Sequence, residues 1–321
     1  LAPLVDAGRL RWVPHPGWLT SADDFAAACA QPPYRMDAFY RHVRQRSGIL
    51  MVNGKPDGGR YSFDGENRLP WRGTPKVPAP PRFTVDAITA EVGALIGRHF
   101  AHHPGQLDLA AIPATIADVE RQWQWFVQHG LEYFGPYEDA MHAEQPQLFH
   151  ANIAALLNLH RLSPARVVRE VAAADAPLAS REGFVRQVLG WREFVRHVHV
   201  TTDGFRQWPG HRSPLAATDG GYAQWAQTPW PGDLLPAAAP SVLGAQAPVP
   251  PAYWGARSGL ACLDHVVADV WRTGYSHHIT RLMVLSNIAA LLDLSPRALT
   301  DWFWVAYVDA FDWVVEPNVL G

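Results

Sequence analysis

The chain has 321 residues, of which 48% are hydrophobic and 18% are charged, and its formal net charge is −3. These values exclude a disordered chain and allow one large domain or two of medium size. So small a net charge excludes the overall basic field of many nucleic-acid binders, so any DNA contact would need a local arginine-lined surface. Two cysteines are too few for a disulfide framework.

The sequence contains no basic-and-apolar leader and no run of about 18 apolar residues. We therefore expect a soluble, cytoplasmic protein without membrane contact, and we expect a monomer. The chain starts at Leu1 rather than Met and stops at Gly321 directly after a dense motif. We interpret it as a fragment, or as a natural chain trimmed at both ends.

The first 33 residues predict the end of an α/β domain. Residues 10–13 form a short apolar strand candidate, and Ser21 with Asp24 forms a capping-box pattern that opens a helix. A strand followed by a helix is typical of the last unit of such a domain. We interpret residues 1–33 as its remainder, with the earlier part missing.

Residues 34–114 are interpreted as a linker region. Within it, residues 34–51 predict a helix, because apolar side chains from Met36 to Val43 recur on one face. Five glycines and six prolines between residues 54 and 81 then indicate an extended irregular stretch.

Helical periodicity dominates residues 115–321. Apolar residues recur at spacings of three and four from Ile116 to Phe126, and residues 184–194 repeat this pattern. A stretch rich in Pro, Ala and Gly over residues 229–251 predicts a loop, and helices resume near residue 259. This part of the chain predicts one all-α domain.

Two adjacent histidines, His277 and His278, stand three residues before Arg281. Adjacent residues on a helix point about 100° apart, so the two rings cannot face one small site equally. His278 and Arg281 share a face. Spacing alone leaves three readings: satisfied structural histidines, a proton-transfer site near neutral pH, or a metal site with His265.

Other features are equally open when taken alone. Asp309 is an acid in an aromatic-rich segment that needs a partner if it is buried. Residues 148–159 read as an amphipathic helix. Fourteen tryptophans fit either a large aromatic core or a chain of redox-active indoles.

Three motifs carry a family resemblance: Gly-Tyr-Ser-His-His-Ile-Thr-Arg-Leu-Met at 274–283, Tyr-Val-Asp-Ala-Phe-Asp-Trp at 307–313 and Glu-Gly-Phe-Val-Arg-Gln-Val-Leu-Gly-Trp-Arg-Glu-Phe at 182–194. They closely resemble the bacterial iron–sulfur branch of the photolyase/cryptochrome family, also described as deoxyribodipyrimidine photolyase-related proteins. These flavoproteins use blue light to repair (6-4) lesions in DNA. The resemblance implies a mainly α fold: an all-α FAD-binding photolyase-type domain preceded by the remainder of an α/β Rossmann-like antenna domain.

The resemblance implies a buried FAD. An arginine three residues after the second histidine pairs with a later aspartate beside the flavin in this family, and Arg281 and Asp309 hold these positions. Residues 148–159 match the helix start that binds the flavin phosphates, with alanines in place of the usual hydroxyls. The implied cofactor-binding residues are His150, Ala151, Asn152, Ile153, Asn158, Gln187, Arg281, Asp309 and Asn318.

The resemblance also assigns catalytic roles. His278 would assist proton transfer at the lesion, with His277 in support. Trp191 would stack on an extruded base, and Arg192 would meet a phosphate or the cofactor.

Further roles concern electrons and metals. The resemblance implies an electron relay through Trp302 and Trp254, and leaves Trp304 between relay and packing. Cys262 matches the first ligand of a [4Fe–4S] cluster. Such a cluster needs four thiolates, so this chain cannot hold one by itself. A ribolumazine-type antenna chromophore is left open, because most of its domain is missing.

The function implied is light-driven repair of the (6-4) pyrimidine–pyrimidone photoproduct in UV-damaged DNA, by electron transfer from reduced FAD with histidine-assisted proton transfer. One alternative is a cryptochrome-like blue-light photoreceptor without repair activity. Another, from a different class, is a helical nucleic-acid-binding module without flavin. Repair of cyclobutane dimers is disfavoured, because splitting a dimer needs no such histidine pair.

Overall fold

The computed structural model describes residues 2–11, 13, 15–208, 211, 212, 241 and 243–320. Helices dominate these residues, and the described strands form two small antiparallel hairpins. This confirms the mainly α fold. Among the described helices, none is long and apolar enough to cross a membrane. Most of the loop predicted over residues 229–251 lies outside the described residues.

In chain order, the α-helices and strands are α1 (Ala2–Asp6), α2 (Ala22–Ala28), α3 (Met36–Ser47), β1 (Met51–Val52), β2 (Lys55–Pro56), α4 (Ala87–His99), α5 (Ile116–Trp125), α6 (Leu131–Tyr137), α7 (Ala154–Asn158), α8 (Pro164–Ala173), α9 (Leu178–Val185), α10 (Glu193–Thr202), β3 (Gln207–Trp208), β4 (His211–Arg212), α11 (Ala261–Thr273), α12 (His278–Thr280), α13 (Asn287–Leu291), α14 (Pro296–Ala306) and α15 (Asp312–Val319). Short 3₁₀ turns span Asp57–Gly59, Asp64–Glu66, Leu109–Ala111 and Pro251–Trp254.

Turns of π-helix join several α-helices into longer rods. Phe126–Gly130 joins α5 to α6, Arg186–Arg192 joins α9 to α10, and Arg281–Ser286 joins α12 to α13. A π-turn inserts extra backbone into a helix and rotates the side chains that follow, and such turns are frequent at functional sites. Two of these turns carry residues that the family motifs single out.

Side-chain caps explain where several helices begin. The Ser21 hydroxyl accepts a hydrogen bond from the Asp24 N–H while the Asp24 carboxylate accepts one from the Ser21 N–H, so the predicted capping box is confirmed. Ser163 and Ser295 cap α8 and α14, each with Pro at the first helical turn. These caps satisfy N–H groups that have no partner inside the helix.

The strand predicted over residues 10–13 is wrong. Its described residues have no regular secondary structure, and the described strands pair only within their own hairpins. A lone strand leaves its N–H and C=O groups unpaired, so an apolar run without a neighbouring strand has no reason to form one.

The segment that follows docks on the helical body instead. The Glu193 carboxylate, fully buried on α10, accepts hydrogen bonds from the backbone N–H groups of Leu19 and Thr20 and from the Thr20 hydroxyl. The Thr20 hydroxyl also lies 2.8 Å from Nε2 of His197. The chain before α2 is therefore tied to the centre of the rod that α9 and α10 form.

The region interpreted as a linker contains more structure than the sequence predicted. The helix expected over 34–51 is confirmed as α3, which packs against the π-turn of α9 and α10 with Phe39 and Val43 fully buried. Helix α4 was not predicted; Asp86 caps it by accepting a hydrogen bond from the Thr89 N–H. The domain boundaries themselves stay a prediction.

Two apolar clusters form the core of the described chain. One lies among α2, α3, α5, α6 and α8–α10 and includes the fully buried Trp123 and Phe126. The other lies among the C-terminal helices and includes Tyr253, Leu285 and Trp302. Each such side chain contributes roughly 1.5–3 kcal/mol by leaving water.

Glu316 on α15 forms ion pairs with side chains of α10 and α14. Its buried carboxylate accepts hydrogen bonds from Arg206 at 2.9 Å and Arg297 at 2.8 Å, and Nδ1 of His199 lies 2.9 Å away. Burial alone would raise the pKa of this carboxyl, but His199 and the two arginines outweigh it and lower the pKa to about 2. Glu316 therefore stays charged at neutral pH.

Replacing Glu316 tests this arrangement. Because its pKa lies below the ordinary 4.5, its contribution to stability is full above that value and is lost as the pH falls towards about 2. We expect Glu316→Gln to lower the free energy of unfolding at pH 7 by on the order of 3 kcal/mol. Urea unfolding at pH 7 and at acid pH measures both effects.

The matched control is Glu120→Gln, which removes a more exposed carboxylate that also pairs with an arginine, Arg166. This pair should contribute less than about 1 kcal/mol. Equal losses in the two variants would contradict the role of Glu316.

Candidate functional site

The two adjacent histidines lie at a break between helices. Helix α11 ends at Gly274, whose positive φ of 67° turns the chain. His277 has extended backbone and only precedes α12, which starts at His278. The two therefore do not sit on one helix as the spacing argument assumed. The break buries the His277 side chain and leaves His278 exposed.

His277 stacks on His150, which the sequence placed in a different motif. Their ring centroids are 4.5 Å apart with the planes inclined by only 10°. Burial, and then the neighbouring His278, lower the pKa of His277 to about 3. Burial also moves the pKa of His150 well below its ordinary value. Both rings are thus neutral at physiological pH.

Several polar atoms around this stack have no hydrogen-bond partner among the described residues. They are Nδ1 and Nε2 of His277, Nε2 of His150 and the side-chain oxygen of Asn152. Buried polar atoms in proteins almost always have a partner. These atoms are therefore suited to a bound polar molecule.

His278 has an acidic partner that sequence reasoning missed. Its Nε2 lies 3.3 Å from Oδ1 of Asp139, and its ring meets that of His150 edge-on. The hydrogen bond from His278 outweighs burial and, with Arg68, lowers the pKa of Asp139. Asp139 precedes His278 by 139 positions, so no local spacing could have linked them.

Glu138, the residue before Asp139, is a buried carboxylate with several polar partners. Glu138 accepts hydrogen bonds from the side-chain amides of Asn67 and Gln187, and lies 3.5 Å from Nη2 of Arg186. Burial raises the pKa of Glu138, although Arg186 opposes this. Because the Gln187 amide is engaged here, its contact with a cofactor stays a prediction.

Arg281 and Asp309 form the pair that the motifs predicted. Nη2 of Arg281 lies 3.0 Å from each carboxylate oxygen, and Nε donates to the carbonyl of Ser276. The side chain of Asn158 donates to the backbone carbonyl of Asp309 at 3.1 Å. Burial opposes the charge of Arg281, but Asp309 outweighs it and raises the pKa of the guanidinium. The position of this pair beside a flavin stays a prediction.

Removing the acid tests how strongly this pair stabilises the fold. Asp309→Asn leaves a largely buried guanidinium, 20% exposed, without its counter-charge, so the free energy of unfolding should fall by about 3 kcal/mol. Urea denaturation at pH 7 measures it. Asp37→Asn, which breaks the exposed pair with Arg35, is the control and should change stability by less than about 1 kcal/mol. A near-neutral Asp309→Asn would contradict a structural role for the pair.

The segment expected to open a phosphate-binding helix is different in the structure. Helix α7 has five residues and starts only at Ala154; residues 148–153 precede it without regular structure, with Asn152 at a φ of 53°. So short a helix has little macrodipole, and the predicted long helix is wrong. Ala151 and Ile153 are buried, and Asn152 tolerates this backbone because its short side chain suits the left-handed region.

Trp191 and Arg192 are adjacent in the chain, but one side chain is exposed and the other is buried. Trp191 is 39% exposed. Arg192 is buried: its guanidinium lies 4.2 Å from the ring of Trp18, and its Nη1 donates to the carbonyl of Gly17 and to Glu193. Its position favours anchoring the N-terminal segment over meeting a phosphate, and its contact with DNA stays a prediction without support from this geometry.

The remaining predicted residues are spread over the C-terminal helices. Asn318 is exposed and donates to the carbonyl of Val314. Trp302 is buried, whereas Trp254 is 55% exposed. Cys262 is exposed on α11 and is not disulfide-bonded. Among the described residues, no group of three or more His, Cys, Asp or Glu side chains is arranged so that it could hold a metal ion.

A cavity of about 350 Å³ lies among α10, α14 and the start of α15. One of its lining residues, Ala310, directly follows Asp309 in the sequence. The lining residues are His199, Trp304, Ala310, Phe311, Asp312 and Trp313. Its size is at the lower end of ligand-binding cavities.

Comparison with known proteins identifies relatives. The family model described as deoxyribodipyrimidine photo-lyase-related protein matches residues 2–111. A (6-4) photolyase of Agrobacterium fabrum is 32% identical over 298 residues, which cover 92% of this chain and 53% of that protein. A crystal structure of a bacterial class III photolyase from Agrobacterium tumefaciens aligns with a TM-score of 0.42 and 16% identity, over 64% of this chain and 38% of that one.

The chain therefore spans about half the length of the curated relative that it matches. The family model matches its N-terminal third, and the (6-4) photolyase extends the match over nearly all of it. These two sequence matches confirm the resemblance to photolyase-related proteins that the motifs predicted.

Proposed function

We propose that this chain forms the flavin-binding part of a light-driven enzyme that repairs the (6-4) photoproduct in UV-damaged DNA. The observation that carries the proposal is the pair of unlike histidines: a buried, neutral His277 stacked on His150, and an exposed His278 held by Asp139. The similarity to a protein named (6-4) photolyase supports it. The alternatives of a photoreceptor and of a flavin-free module become outcomes of the tests below.

FAD fits the buried polar groups of the site. The unpartnered nitrogens of His150 and His277 and the side-chain oxygen of Asn152 would meet its polar atoms. Arg281, paired with Asp309, would place a guanidinium beside the flavin. When bound and reduced, FAD would supply an electron to the lesion under blue light. The cluster implied by the resemblance does not fit the two cysteines of this chain, because it needs four thiolates.

His278 would handle the proton. With Nε2 facing Asp139, Nδ1 is the nitrogen left to exchange a proton with a bound lesion. The contact with Asp139 would hold the imidazole in place, and the ring can then protonate the group that returns to its original base. His277, buried beside it, would orient the loop rather than titrate.

Trp191 would help to hold the extruded base. Its ring is partly exposed, and stacking of a base on an aromatic side chain contributes about 1–3 kcal/mol. A damaged base is poorly stacked in the duplex, so its extrusion costs less than that of a normal base.

Repair of a defined oligonucleotide tests the role of His278. We expect His278→Ala, loaded with FAD and photoreduced, to repair a single (6-4) thymine pair at least about 100-fold more slowly than the unchanged chain. Flavin binding should be retained, because the side chain is exposed. His265→Ala, an exposed histidine on α11, is the control.

Undiminished repair by His278→Ala would contradict the proton role. If the unchanged chain binds flavin but repairs nothing, the result would favour a photoreceptor over a repair enzyme. Absence of flavin binding would favour the flavin-free module.

The carboxylate of Asp139 makes a separate prediction. Asp139→Asn keeps the size of the side chain but removes the negative charge that lies 3.3 Å from Nε2 of His278. Repair should therefore slow by about tenfold or more, while flavin binding is retained. Arg68, Glu138, His150 and His277 surround the pair and stay unchanged.

The repair rate and the flavin content per chain measure both effects. Glu144→Gln, an exposed acid in the following loop, is the control. An unchanged repair rate in Asp139→Asn would contradict its role beside His278.

A further inference from the structure

We propose that Asn67, which lies in the stretch interpreted as a linker and in none of the family motifs, is a positioning residue of the candidate site. It fixes the segment that carries Asp139, and through Asp139 it orients His278. This role rests on the repair function proposed above. Oδ1 of Asp139 lies 3.3 Å from Nε2 of His278. The contacts that hold Asp139 in place therefore also help to hold the ring of His278.

The backbone of residues 67–69 runs beside the end of α6. The N–H of Leu69 donates to the carbonyl of Pro136 at 2.9 Å, and the N–H of Asp139 donates to the carbonyl of Asn67 at 3.3 Å. The last carbonyls of a helix have no partner within it, so the first of these bonds satisfies a group that the helix leaves open. The second holds the backbone of Asp139 itself.

The side chain of Asn67 fixes the residue before Asp139. It is fully buried, and its Nδ2 donates to Oε2 of Glu138 at 2.7 Å. The side-chain amide of Gln187 donates to Oε1, the other oxygen of the same carboxylate. If this buried carboxylate turned, it would leave a donor unpaired, and an unpaired buried polar group is costly. Glu138 is therefore held in one orientation, together with the backbone that leads into Asp139.

Gly183 leaves the room that this contact needs. It lies on α9, within the family motif at residues 182–194. A Cβ atom at this position would lie 2.7 Å from Nδ2 of Asn67 and 2.9 Å from Oε2 of Glu138. Both distances are too short for a non-bonded contact with carbon, so a larger residue would displace the two polar groups. The hydrogen bond between Asn67 and Glu138 thus gives a physical reason for the glycine of the motif.

Removing the Asn67 amide would release this arrangement at one point. Oε2 of Glu138 would keep Arg186 as its neighbour, with Nη2 3.5 Å away. The carboxylate can then turn towards the guanidinium, and the backbone of residues 138 and 139 can move with it. A displaced Asp139 no longer lies within reach of Nε2 of His278. Asn67 therefore acts on His278 through Asp139, without contact with the substrate.

Asn67→Ala tests the proposal in the purified chain, before any repair is measured. Histidine labelled with ¹⁵N in the ring gives a signal for Nε2 of His278, which the variant His278→Ala identifies. The position of this signal reports the contact with Asp139. We expect Asn67→Ala to move the signal towards its position in Asp139→Asn. An unchanged signal in folded Asn67→Ala would overturn the proposal.

The repair rate provides a second test. Misplacing a reacting group by about 1 Å can slow a reaction by roughly 100-fold, so we expect Asn67→Ala to slow repair by about tenfold or more. If Asn67 acts through Asp139, the double variant Asn67→Ala/Asp139→Asn should repair no more slowly than Asp139→Asn alone. Losses that multiply in the double variant would contradict the positioning role, because they would show an effect independent of Asp139.

The matched control is Ser180→Ala. The Ser180 hydroxyl is also fully buried and also holds α6, since it accepts a hydrogen bond from the N–H of Gly135 at 3.0 Å and donates to the carbonyl of Glu132 at 2.9 Å. Both of these groups precede the segment 136–139. We therefore expect Ser180→Ala to lower stability in urea but to leave the His278 signal and the repair rate unchanged. Equal changes in Ser180→Ala and Asn67→Ala would refute the specific role of Asn67.

Gly183→Ala is the second variant, and it decides the question if Asn67→Ala does not fold. It keeps both polar side chains, and alanine favours a helix more than glycine does, which offsets part of the strain. The added methyl group should move the His278 signal in the same direction as Asn67→Ala. A folded Gly183→Ala with an unchanged signal would rule out the proposed positioning.

Failure of the repair function would be distinguished from failure of this proposal. If the unchanged chain repairs nothing while Asn67→Ala still moves the His278 signal, the repair function is overturned and the positioning of His278 by Asn67 stands. If the unchanged chain repairs the lesion and Asn67→Ala alters neither the signal nor the rate, only the positioning role is overturned.

Discussion

The C-terminal half of the molecule depends on the buried contact between Arg281 and Asp309. Removing a guanidinium from water costs several kcal/mol unless a carboxylate and further acceptors replace the lost solvent. Ser276 supplies the extra acceptor, and Asn158 holds the backbone of the aspartate. Three segments that are distant in the sequence meet at this pair, and the loop that carries both histidines is one of them.

This ion pair also helps to place the two adjacent histidines, His277 and His278, in different environments. Since Ser276 is bonded to Arg281, His277 follows it into the interior, while His278 starts a helix at the surface. Burial makes the imidazole of His277 a poor base, whereas the imidazole of His278 stays exposed beside Asp139. Dividing like groups between unlike environments is a general way to assign an acid and a structural partner within one site.

Local patterns predicted the parts of this structure that depend on neighbours in the chain. The capping box at Ser21, helix α3 and the mainly helical architecture all follow from spacings of three and four residues. Family motifs, rather than spacing, predicted that Arg281 would meet Asp309. The start of α7 was missed, because residues 148–153, which the amphipathic pattern placed in the helix, precede it with Asn152 at a φ of 53°.

The contacts that sequence reasoning missed join residues far apart. Asp139 and His278 are separated by 139 positions, and Arg192 and Gly17 by 175. Trp271 fits the apolar face of α11, so its pattern is that of an ordinary core residue. Only the fold shows that the ring of Trp271 also contacts the rings of Trp254 and Trp302.

The hydrogen bonds between Glu193 and the segment before α2 can form only late in the synthesis of the chain. Leu19 leaves the ribosome 174 residues before its partner, and at roughly 5–20 residues per second this is a wait on the order of ten seconds or more. Throughout that interval the Leu19 N–H cannot bond to Glu193, and the ring of Trp18 lacks the Arg192 guanidinium that lies 4.2 Å from it in the folded chain. This segment can therefore dock only after the rod of α9 and α10 is made.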